Sequence, residues 1–190
     1  MGSECGDGAV VAYPLFQAED GGAIPTSPLQ LTIRECDIPF ALEQNRKWHS
    51  RMPLLAQASI TLNPDRICFS ADYDGKCYAV AIWTTPIAAN RIAGEPREML
   101  ELRRLAICAD APKNTASRMI GIMARMIKKA YPRVKRLMSY QDTGVHTGTI
   151  YKAAGWIAVR QSDFISWGNH TKRKTEDQST APKVRWERII

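Results

Sequence analysis

The stretch that decides the fold begins with Glu101-Leu-Arg-Arg-Leu-Ala-Ile107 and ends with Gly148-Thr-Ile-Tyr-Lys-Ala-Ala-Gly-Trp156. Between these segments lie an amphipathic helix after Pro112 and the strand-like run Met138-Ser-Tyr-Gln-Asp142. Two strands joined by a crossover helix form a parallel pair, and such units bind ligands beyond the carboxyl ends of their strands. We therefore expect the functional site where these two strands end.

Turn and capping residues outside this stretch extend the sheet. Asp74-Gly75 supplies a positive-φ turn between two strand-like runs, which predicts a hairpin over 66–83. Asp37 is placed to cap a helix that runs towards Trp48. Further strands are expected at 29–33, 134–140, 156–159 and 184–190. The sequence therefore predicts an α/β (α+β) fold, with a mixed, mostly antiparallel sheet, a central parallel strand pair and flanking helices.

The strand from Met99 to Ile107 breaks its own alternation. Its apolar residues at 100 and 102 share one parity, whereas those at 105 and 107 share the other. A bulge near Arg103 and Arg104 would keep both pairs buried, and bulges often lie beside active sites. The alternative is a fully buried strand whose arginines reach out to solvent. We expect Arg104, of the two arginines, to face the site.

Composition and length describe an ordinary globular protein. The 190 residues are 45% hydrophobic and 24% charged, which predicts one domain over 28–190 behind a flexible leader at 1–27. No run of about 18 apolar residues is present, so a membrane-spanning helix is not expected. The five cysteines show no metal-ligand spacing, which favours reduced thiols in a cytoplasm. A contact between Cys68 and Cys77 across the hairpin is the alternative to simple packing.

The formal net charge of +7 favours a polyanionic partner. The alternative is a basic surface that serves only solubility. Much of the charge is local. The first cluster comprises Arg118, Arg125, Lys128, Lys129, Arg133, Lys135 and Arg136, and the second comprises Lys172, Arg173 and Lys174.

The order of the predicted elements resembles the GNAT acyltransferase fold. A bulged strand before the crossover helix is one of its signatures, and the ending Tyr151-Lys-Ala-Ala-Gly-Trp156 is similar to the Tyr-x-x-x-Gly-Phe of many members. The loop Lys113-Asn-Thr-Ala-Ser-Arg118 departs from the family, because it has no glycine before Gly121. Close approach of backbone N–H groups to a pyrophosphate favours small residues. This departure argues against ordinary acetyl-CoA binding.

A narrower resemblance covers roughly 48–156. Leu-Arg-Arg-Leu, Pro-Lys-Asn-x-x-Ser, Ser-Tyr-x-Asp and Gly-Thr-Ile-Tyr-Lys-Ala-x-Gly-Trp follow one another in an order that resembles the phage Mom-type DNA-modification proteins. These are divergent GNAT-fold proteins, associated with converting the N6 position of adenine in phage DNA to a carbamoylmethylated form that shields the DNA from restriction. The resemblance therefore implies a transferase that acts on double-stranded DNA and uses a small-molecule donor.

His49 and Asp142 form the candidate metal site. The Mom-type resemblance implies a histidine at this position and the use of iron, and an imidazole with a carboxylate suits Fe2+. From the residues alone, His49 is a surface histidine at a helix C-terminus and Asp142 a turn former, so both interpretations stay open. No third ligand can be named, and we expect His146 to point elsewhere on its loop.

Two further residues are candidates for chemistry. Arg104 is expected to hold a phosphate or carboxylate. The GNAT resemblance implies that Tyr151 donates a proton to a leaving thiolate, with a packed aromatic ring as the alternative. The predicted catalytic residues are His49, Arg104, Asp142 and Tyr151, and the predicted cofactor-binding residues are Arg103, Lys113, Asn114, Ser117, Ser139 and Tyr140. Ser117 serves equally well as a helix cap.

The sequence thus predicts a Mom-like enzyme acting on the N6 amine of adenine. Its expected partners are double-stranded DNA, Fe2+ and acetyl-CoA or another small-molecule donor, with no membrane partner and with a dimer as one option for its assembly. Two alternatives stay open. One is a conventional GNAT acetyltransferase acting on a small amine or a protein, and the other is a non-catalytic GNAT-fold module that binds DNA.

Overall fold

The fold is a single eight-stranded sheet with helices on both faces. The computed structural model describes residues 11–12, 24–49, 56–87, 94–162, 179 and 181–190. The strand order across the sheet is β1-β2-β3-β4-β5-β6-β8-β7. The strands are β1 (Val11–Ala12), β2 (Thr32–Cys36), β3 (Arg66–Tyr73), β4 (Lys76–Thr84), β5 (Met99–Ile107), β6 (Arg136–Asp142), β7 (Ile157–Ser162) and β8 (Lys183–Ile189).

Four α-helices connect these strands. They are α1 (Ile38–Trp48), α2 (Gln57–Thr61), α3 (Thr115–Ala130) and α4 (Thr149–Ala153). Helix α3 is the crossover between β5 and β6, which pair in parallel, while the other neighbouring strands pair antiparallel. The predicted fold class is therefore confirmed. The side chain of Asp37 accepts a hydrogen bond from the Phe40 N–H, so the predicted cap of α1 is confirmed as well.

The predicted bulge lies in β5. Arg104 pairs with Ile82 and Leu102 pairs with Trp83, so Arg103 is the extra residue. A regular, unbulged strand, which was the alternative, is therefore wrong. Because the bulge resets the alternation, both arginines lie on the sheet face that carries Glu101, and the charge of each acts on that carboxylate. Both arginines, and not Arg104 alone, therefore lie on the same face as Glu101.

The two sheet faces differ in what covers them. Helix α3 covers one face and forms the main core, with Met119, Ile120, Met123 and Ile127 all fully buried. Its methionines fill this core, as their helical spacing indicates. Helices α1 and α2 cover the other face over β3 to β5, around a smaller apolar cluster. We call these two faces the α3 face and the α1 face.

Two predicted boundaries were wrong. The segment 28–30 forms a 3-10 helix, not a strand, because the side chain of Ser27 caps it and Pro28 is its first residue. The strand predicted at 29–33 begins only at Thr32. Likewise β6 begins at Arg136 and extends to Asp142, so Asp142 is its last residue and not a loop residue that follows it.

The cysteines pack as thiols. Cys68 is buried and lies opposite Cys36 on β2 and Ile82 on β4, whereas Cys77 lies opposite Asp72. The proposed contact between Cys68 and Cys77 is therefore wrong, and both are free. Burial raises the pKa of both thiols, so they are poor nucleophiles.

The edges of the sheet are short or exposed strands. Val11–Ala12, within the predicted leader, pairs with β2 at one edge. At the other edge β8 lies between β6 and β7, so β7 follows α4 in the chain but is outermost in the sheet. No helix in the described part of the chain is long and apolar enough to cross a membrane. The basic residues Lys172, Arg173 and Lys174, and Cys5, lie outside the described residues.

Candidate functional site

The site lies where the parallel strands β5 and β6 cease to pair. Their last paired residues are Leu102 and Ser139, and the bulge at Arg103 follows immediately. The Ser139 hydroxyl lies 3.4 Å from the Leu102 carbonyl oxygen and 2.9 Å from the Tyr151 hydroxyl. The structure therefore brings two predicted site residues, Ser139 and Tyr151, together at the expected strand ends, on the α3 face.

Aromatic rings hold Tyr151 in place. Its ring stacks on Trp186, with centroids 5.5 Å apart and planes inclined by 16°, and it lies 5.7 Å from the ring of Trp156. Burial raises the pKa of Tyr151, and the Ser139 hydrogen bond only partly opposes this. The phenol therefore stays protonated at neutral pH, which a proton donor requires.

Hydrogen bonds through Gln141 link the loop before α4 to Trp186, the ring on which Tyr151 stacks. The Trp186 indole N–H donates to the Gln141 side-chain oxygen at 2.7 Å, and the Gln141 amide donates to the His146 carbonyl. Gly148 follows with φ of +77°, and a Cβ there would lie 2.6 Å from both Gln141 Oε1 and Trp186. Only glycine fits this position, which starts the helix carrying Tyr151.

The α1 face of the site is polar and contains a buried carboxylate. Glu101 is only 7% exposed, and its Oε2 accepts a hydrogen bond from the Ile87 N–H at 3.0 Å. Burial raises the pKa of Glu101, although the Ile87 N–H, Arg103 and Arg104 act in the opposite direction. Burial and the charge of Arg103 lower the pKa of Arg104 to about 10. Charges kept this far out of water are typical of functional sites.

Two histidines adjoin this cluster. His49 is the residue that ends α1, and burial lowers its pKa, with the charges of Arg104 and His146 adding to the effect. His146 is therefore within electrostatic range of His49, and the direction of its side chain stays a prediction. His49, with its lowered pKa, is therefore a neutral imidazole at neutral pH beside the positive charge of Arg104.

Asp142 does not join His49 in an evident metal site. Its carboxylate accepts hydrogen bonds from Lys183 Nζ at 2.5 Å and from the Gly144 N–H at 2.9 Å. Burial alone would raise the pKa of Asp142, but the hydrogen bonds from Lys183, Ser179 and Gly144 hold it below its ordinary value. Among the residues that the structure describes, no group of three or more His, Cys, Asp or Glu side chains could hold a metal ion. The described residues therefore give iron no support, and its binding by His49 and Asp142 stays a prediction.

Tyr140 lies on the α1 face beside this cluster. It is 41% exposed and pairs across the sheet with Arg185. Burial and the charge of Glu101 raise its pKa, while Arg185, which hydrogen-bonds its side chain, opposes them. Tyr140 thus lies across the sheet from Tyr151 and Ser139, although all three were predicted as site residues.

The loop before α3 presents polar groups at the helix N-terminus. Asn114 has a left-handed backbone, with φ of 68°, and it and Lys113 are exposed. The Ser117 hydroxyl donates to the Asn114 carbonyl at 3.0 Å, and the Thr115 hydroxyl donates to Pro112. Ser117 therefore makes a local backbone contact, and donor binding by Lys113, Asn114 and Ser117 stays a prediction.

Several residues of the predicted basic cluster are engaged within the protein. Arg118 donates to the Pro28 carbonyl at 2.7 Å, Arg133 pairs with Asp65, and Arg136 lies 3.7 Å from Glu187. The charge that stays exposed on α3 is on Arg125, Lys128 and Lys129. These three residues belong to the helix of the α3 face, whereas His49 and Arg104 belong to the α1 face.

Sequence reasoning missed Glu101, Arg185 and Glu187. Glu187 is 7% exposed and forms an ion pair with Arg185 at 3.0 Å. For Glu101 a signal existed, because a carboxylate stands among apolar residues beside a predicted bulge. For Arg185 and Glu187 no signal existed, because their position depends on the insertion of β8 beside β6.

Comparison with known proteins identifies the family. A sequence model of the Mom protein family matches residues 31–189. The chain belongs to the Mom protein family. No curated protein matches the chain in sequence.

Solved structures place this Mom family member in the GNAT fold. The ribosomal-protein-S18-alanine N-acetyltransferase of Escherichia coli superposes with a TM-score of 0.57 at 13% identity, over 84% of this chain and 94% of that one. A GNAT-family acetyltransferase of Streptococcus pneumoniae gives 0.57 at 16%, over 84% and 99%. A Bacillus subtilis acetyltransferase in complex with CoA gives 0.55 at 14%, over 84% and 99%. The Mom family chain is therefore a divergent GNAT-fold protein, as the motifs predicted.

Proposed function

We propose that this Mom family protein is a DNA-modifying transferase that acts on the N6 amine of adenine. The transfer step would join an acyl group to N6 as the C–S bond of the donor breaks and its thiol leaves. It would be the first step towards the carbamoylmethylated adenine of the Mom type, which protects phage DNA from restriction. The proposal rests mainly on Tyr151, which is buried and protonated. Its hydroxyl is hydrogen-bonded to Ser139 where the parallel strands cease to pair. In a chain of this family, that arrangement supplies a proton donor at the point where donor and acceptor would meet.

The proposed mechanism divides the work between the two sheet faces. A paired adenine hides its amine, so the base must leave the duplex before it reacts. Arg103 and Arg104 would bind a phosphate or carboxylate group of a substrate, since a guanidinium forms bidentate hydrogen bonds with both kinds of anion. Tyr151 would protonate the leaving group from the α3 face. His49 would lie beside Arg104 as a neutral imidazole that can accept a hydrogen bond from the substrate.

The donor is proposed to be an acyl-CoA or a related small molecule. CoA-bound structural neighbours support this donor class, and Lys113, Asn114 and Ser117 stand at the helix N-terminus that would meet its phosphates. Iron has no step in this proposal. The Asp142 carboxylate is hydrogen-bonded to Lys183, and no group of three or more ligand side chains lies among the described residues.

Mass spectrometry of nucleosides tests the function. DNA from cells that express the protein should contain an adenosine heavier than the parent, and it should resist endonucleases that cut at adenine-containing sites. Cells that express the Tyr151→Phe variant at the same soluble level serve as the matched control. Unmodified adenine in DNA from cells with soluble wild-type protein would contradict the proposal.

A second candidate is a conventional N-acetyltransferase that acts on a small amine or a protein. Neighbours bound to CoA or acetyl-CoA favour it. Tight acetyl-CoA binding, with acetyl transfer to amines and no change to DNA, would identify this activity. A non-catalytic DNA-binding module would instead bind DNA and show neither reaction.

A further inference from the structure

We propose that Tyr140 and Glu101 form the subsite for the nucleobase of the acceptor, with the Tyr140 ring stacked on the base and the Glu101 carboxylate accepting a hydrogen bond from its exocyclic amine. The inference rests on the proposed function and deepens it, since it assigns the side chains that would recognise the base. It also gives Tyr140 a role in substrate recognition and not in donor binding.

The first argument is the exposure of Tyr140. It is the one exposed residue of β6, although β6 is an inner strand of the sheet. Arg185 lies opposite Tyr140 on the neighbouring strand β8, so a cation flanks the ring. An exposed aromatic ring beside a cation is the kind of platform on which unstacked bases rest.

The second argument is the position of Glu101 relative to this ring. Glu101 pairs with Met138 across the parallel strands, and Tyr140 is two residues further along β6. Residues two apart on a strand share a face, so Glu101 and Tyr140 lie on the same side of the sheet. The charge of Glu101 accordingly acts on Tyr140.

The third argument is that Glu101 lacks a balancing ion pair. No ion pair among the described residues involves its carboxylate, although the side chain is nine-tenths buried. The hydrogen bond from the Ile87 N–H occupies Oε2. Burying a carboxylate with so few partners is unfavourable. A ligand that brings an N–H donor would relieve this.

The chemistry of the subsite selects a base over the other groups of a nucleotide. A carboxylate repels phosphate, whereas Arg103 and Arg104 next to it attract phosphate. A base with an exocyclic amine offers a flat ring to Tyr140 and an N–H to Glu101 at once. Through the gap between β5 and β6, the same amine would face Tyr151.

Binding to DNA with one altered base tests the subsite. The probes are two duplexes with a single adenine or a single unsubstituted purine, which lacks the amine, each opposite an abasic position so that the base leaves the stack easily. Wild-type protein should prefer the adenine duplex by roughly tenfold or more, the effect of one hydrogen bond to a charged group.

The variants separate the two contacts. Glu101→Leu should remove the preference for adenine over purine, and Glu101→Gln, which keeps an oxygen for the Ile87 N–H and so protects folding, should reduce it severalfold. Tyr140→Leu should weaken binding of both probes by roughly tenfold, as expected when base stacking is removed, while Tyr140→Phe should keep most of the affinity. The matched controls are Glu35→Gln and Tyr131→Leu, which should bind both probes like wild type. They alter a partly buried carboxyl group and a partly buried tyrosine on the α3 face.

The outcomes for subsite and function differ. The subsite is overturned if wild-type protein binds the adenine and purine duplexes equally well. It is also overturned if the Glu101→Gln and Tyr140→Leu variants both bind the two duplexes with wild-type affinity. If wild-type protein prefers the adenine duplex, Glu101→Gln reduces that preference and Tyr140→Leu weakens binding, the subsite stands. It stands even where the DNA of expressing cells stays unmodified. That last result would reject only the proposed reaction.

Discussion

Tyr151 is the residue on which the proposed chemistry depends most. Replacing it with phenylalanine removes one hydroxyl and keeps the ring that stacks on Trp186. If the hydroxyl protonates the leaving group, modification of adenine in vivo should fall by roughly 10²-fold or more, in line with general acid catalysis. The measurement is the modified fraction of adenosine by mass spectrometry.

The control for this substitution is another tyrosine. Tyr131 ends α3 and is partly buried, so Tyr131→Phe removes a hydroxyl away from the strand ends. It should leave modification unchanged. An unchanged modified fraction in Tyr151→Phe would show that this ring serves packing alone.

Glu101 should destabilise the protein near neutral pH. Burial raises its pKa above the ordinary value of 4.5, so the folded state holds this proton more tightly than the unfolded chain does. The resulting stability is fully present below the unfolded pKa and is lost as pH rises through the folded pKa. Glu101→Gln should therefore raise Tm at about pH 8 relative to wild type, and the difference should vanish near pH 4. Thermal melts across this range measure it, and a difference independent of pH would contradict it.

Helix α4 is an element bounded by two glycines with positive φ. Gly148 precedes it at +77°, and Gly155 follows it at +74°. A Cβ at Gly155 meets nothing within 4 Å, whereas at Gly148 it would meet Gln141 and Trp186 at 2.6 Å. Gly155→Ala should therefore destabilise by about 1 kcal/mol, from the backbone alone, and Gly148→Ala by clearly more. Urea unfolding compares the two, and equal values would contradict the close approach at Gly148.

Elements whose signals are local were predictable from the sequence. The hairpin turn at Asp74-Gly75, the cap at Asp37, helix α3 and the bulge at Arg103 all follow from short-range patterns and all were confirmed. The strand expected at 29–33 failed because Ser27 forms a local capping box, which competes with strand pairing.

The candidate site was predictable only in part. The strand ends followed from the parallel crossover, which fixes where ligands approach, whereas the hydrogen bond between Ser139 and Tyr151 did not. The contact of Asp142 with Lys183 could not be foreseen, because it is made across a strand pairing between residues 41 positions apart. The approach of His146 to His49 likewise depends on how the loop before α4 folds back over the strand ends.

At the scale of the whole molecule, the uneven distribution of charge predicts how DNA affinity responds to salt. Arg125, Lys128 and Lys129 are exposed on α3. If they bind phosphates, replacing all three with alanine should reduce the slope of log K against log salt by about 0.9 for each phosphate that the variant no longer neutralises. The weakening should be similar for every DNA sequence, because phosphate contacts carry no base information. Binding titrations at several salt concentrations measure the slope.

The control for the salt experiment is Lys76→Ala. Lys76 already forms an ion pair with Asp110 at 3.1 Å, beside the turn of the hairpin, so its removal should change the slope little. If the triple variant keeps the wild-type slope, the charge of α3 serves solubility, and the phosphate contacts come from other basic residues.

The position of β8 makes the site depend on a strand that is synthesised after the residues it supports. Chains fold from the N-terminus as they are made, yet β8, made after β7, must enter between β6 and β7. Until the ribosome has finished Lys183–Ile189, β7 lacks the partner it has in the sheet, Tyr151 lacks Trp186, and Tyr140 lacks Arg185. Both faces of the site therefore mature in one late step, and a nascent chain that lacks β8 should have no catalytic power.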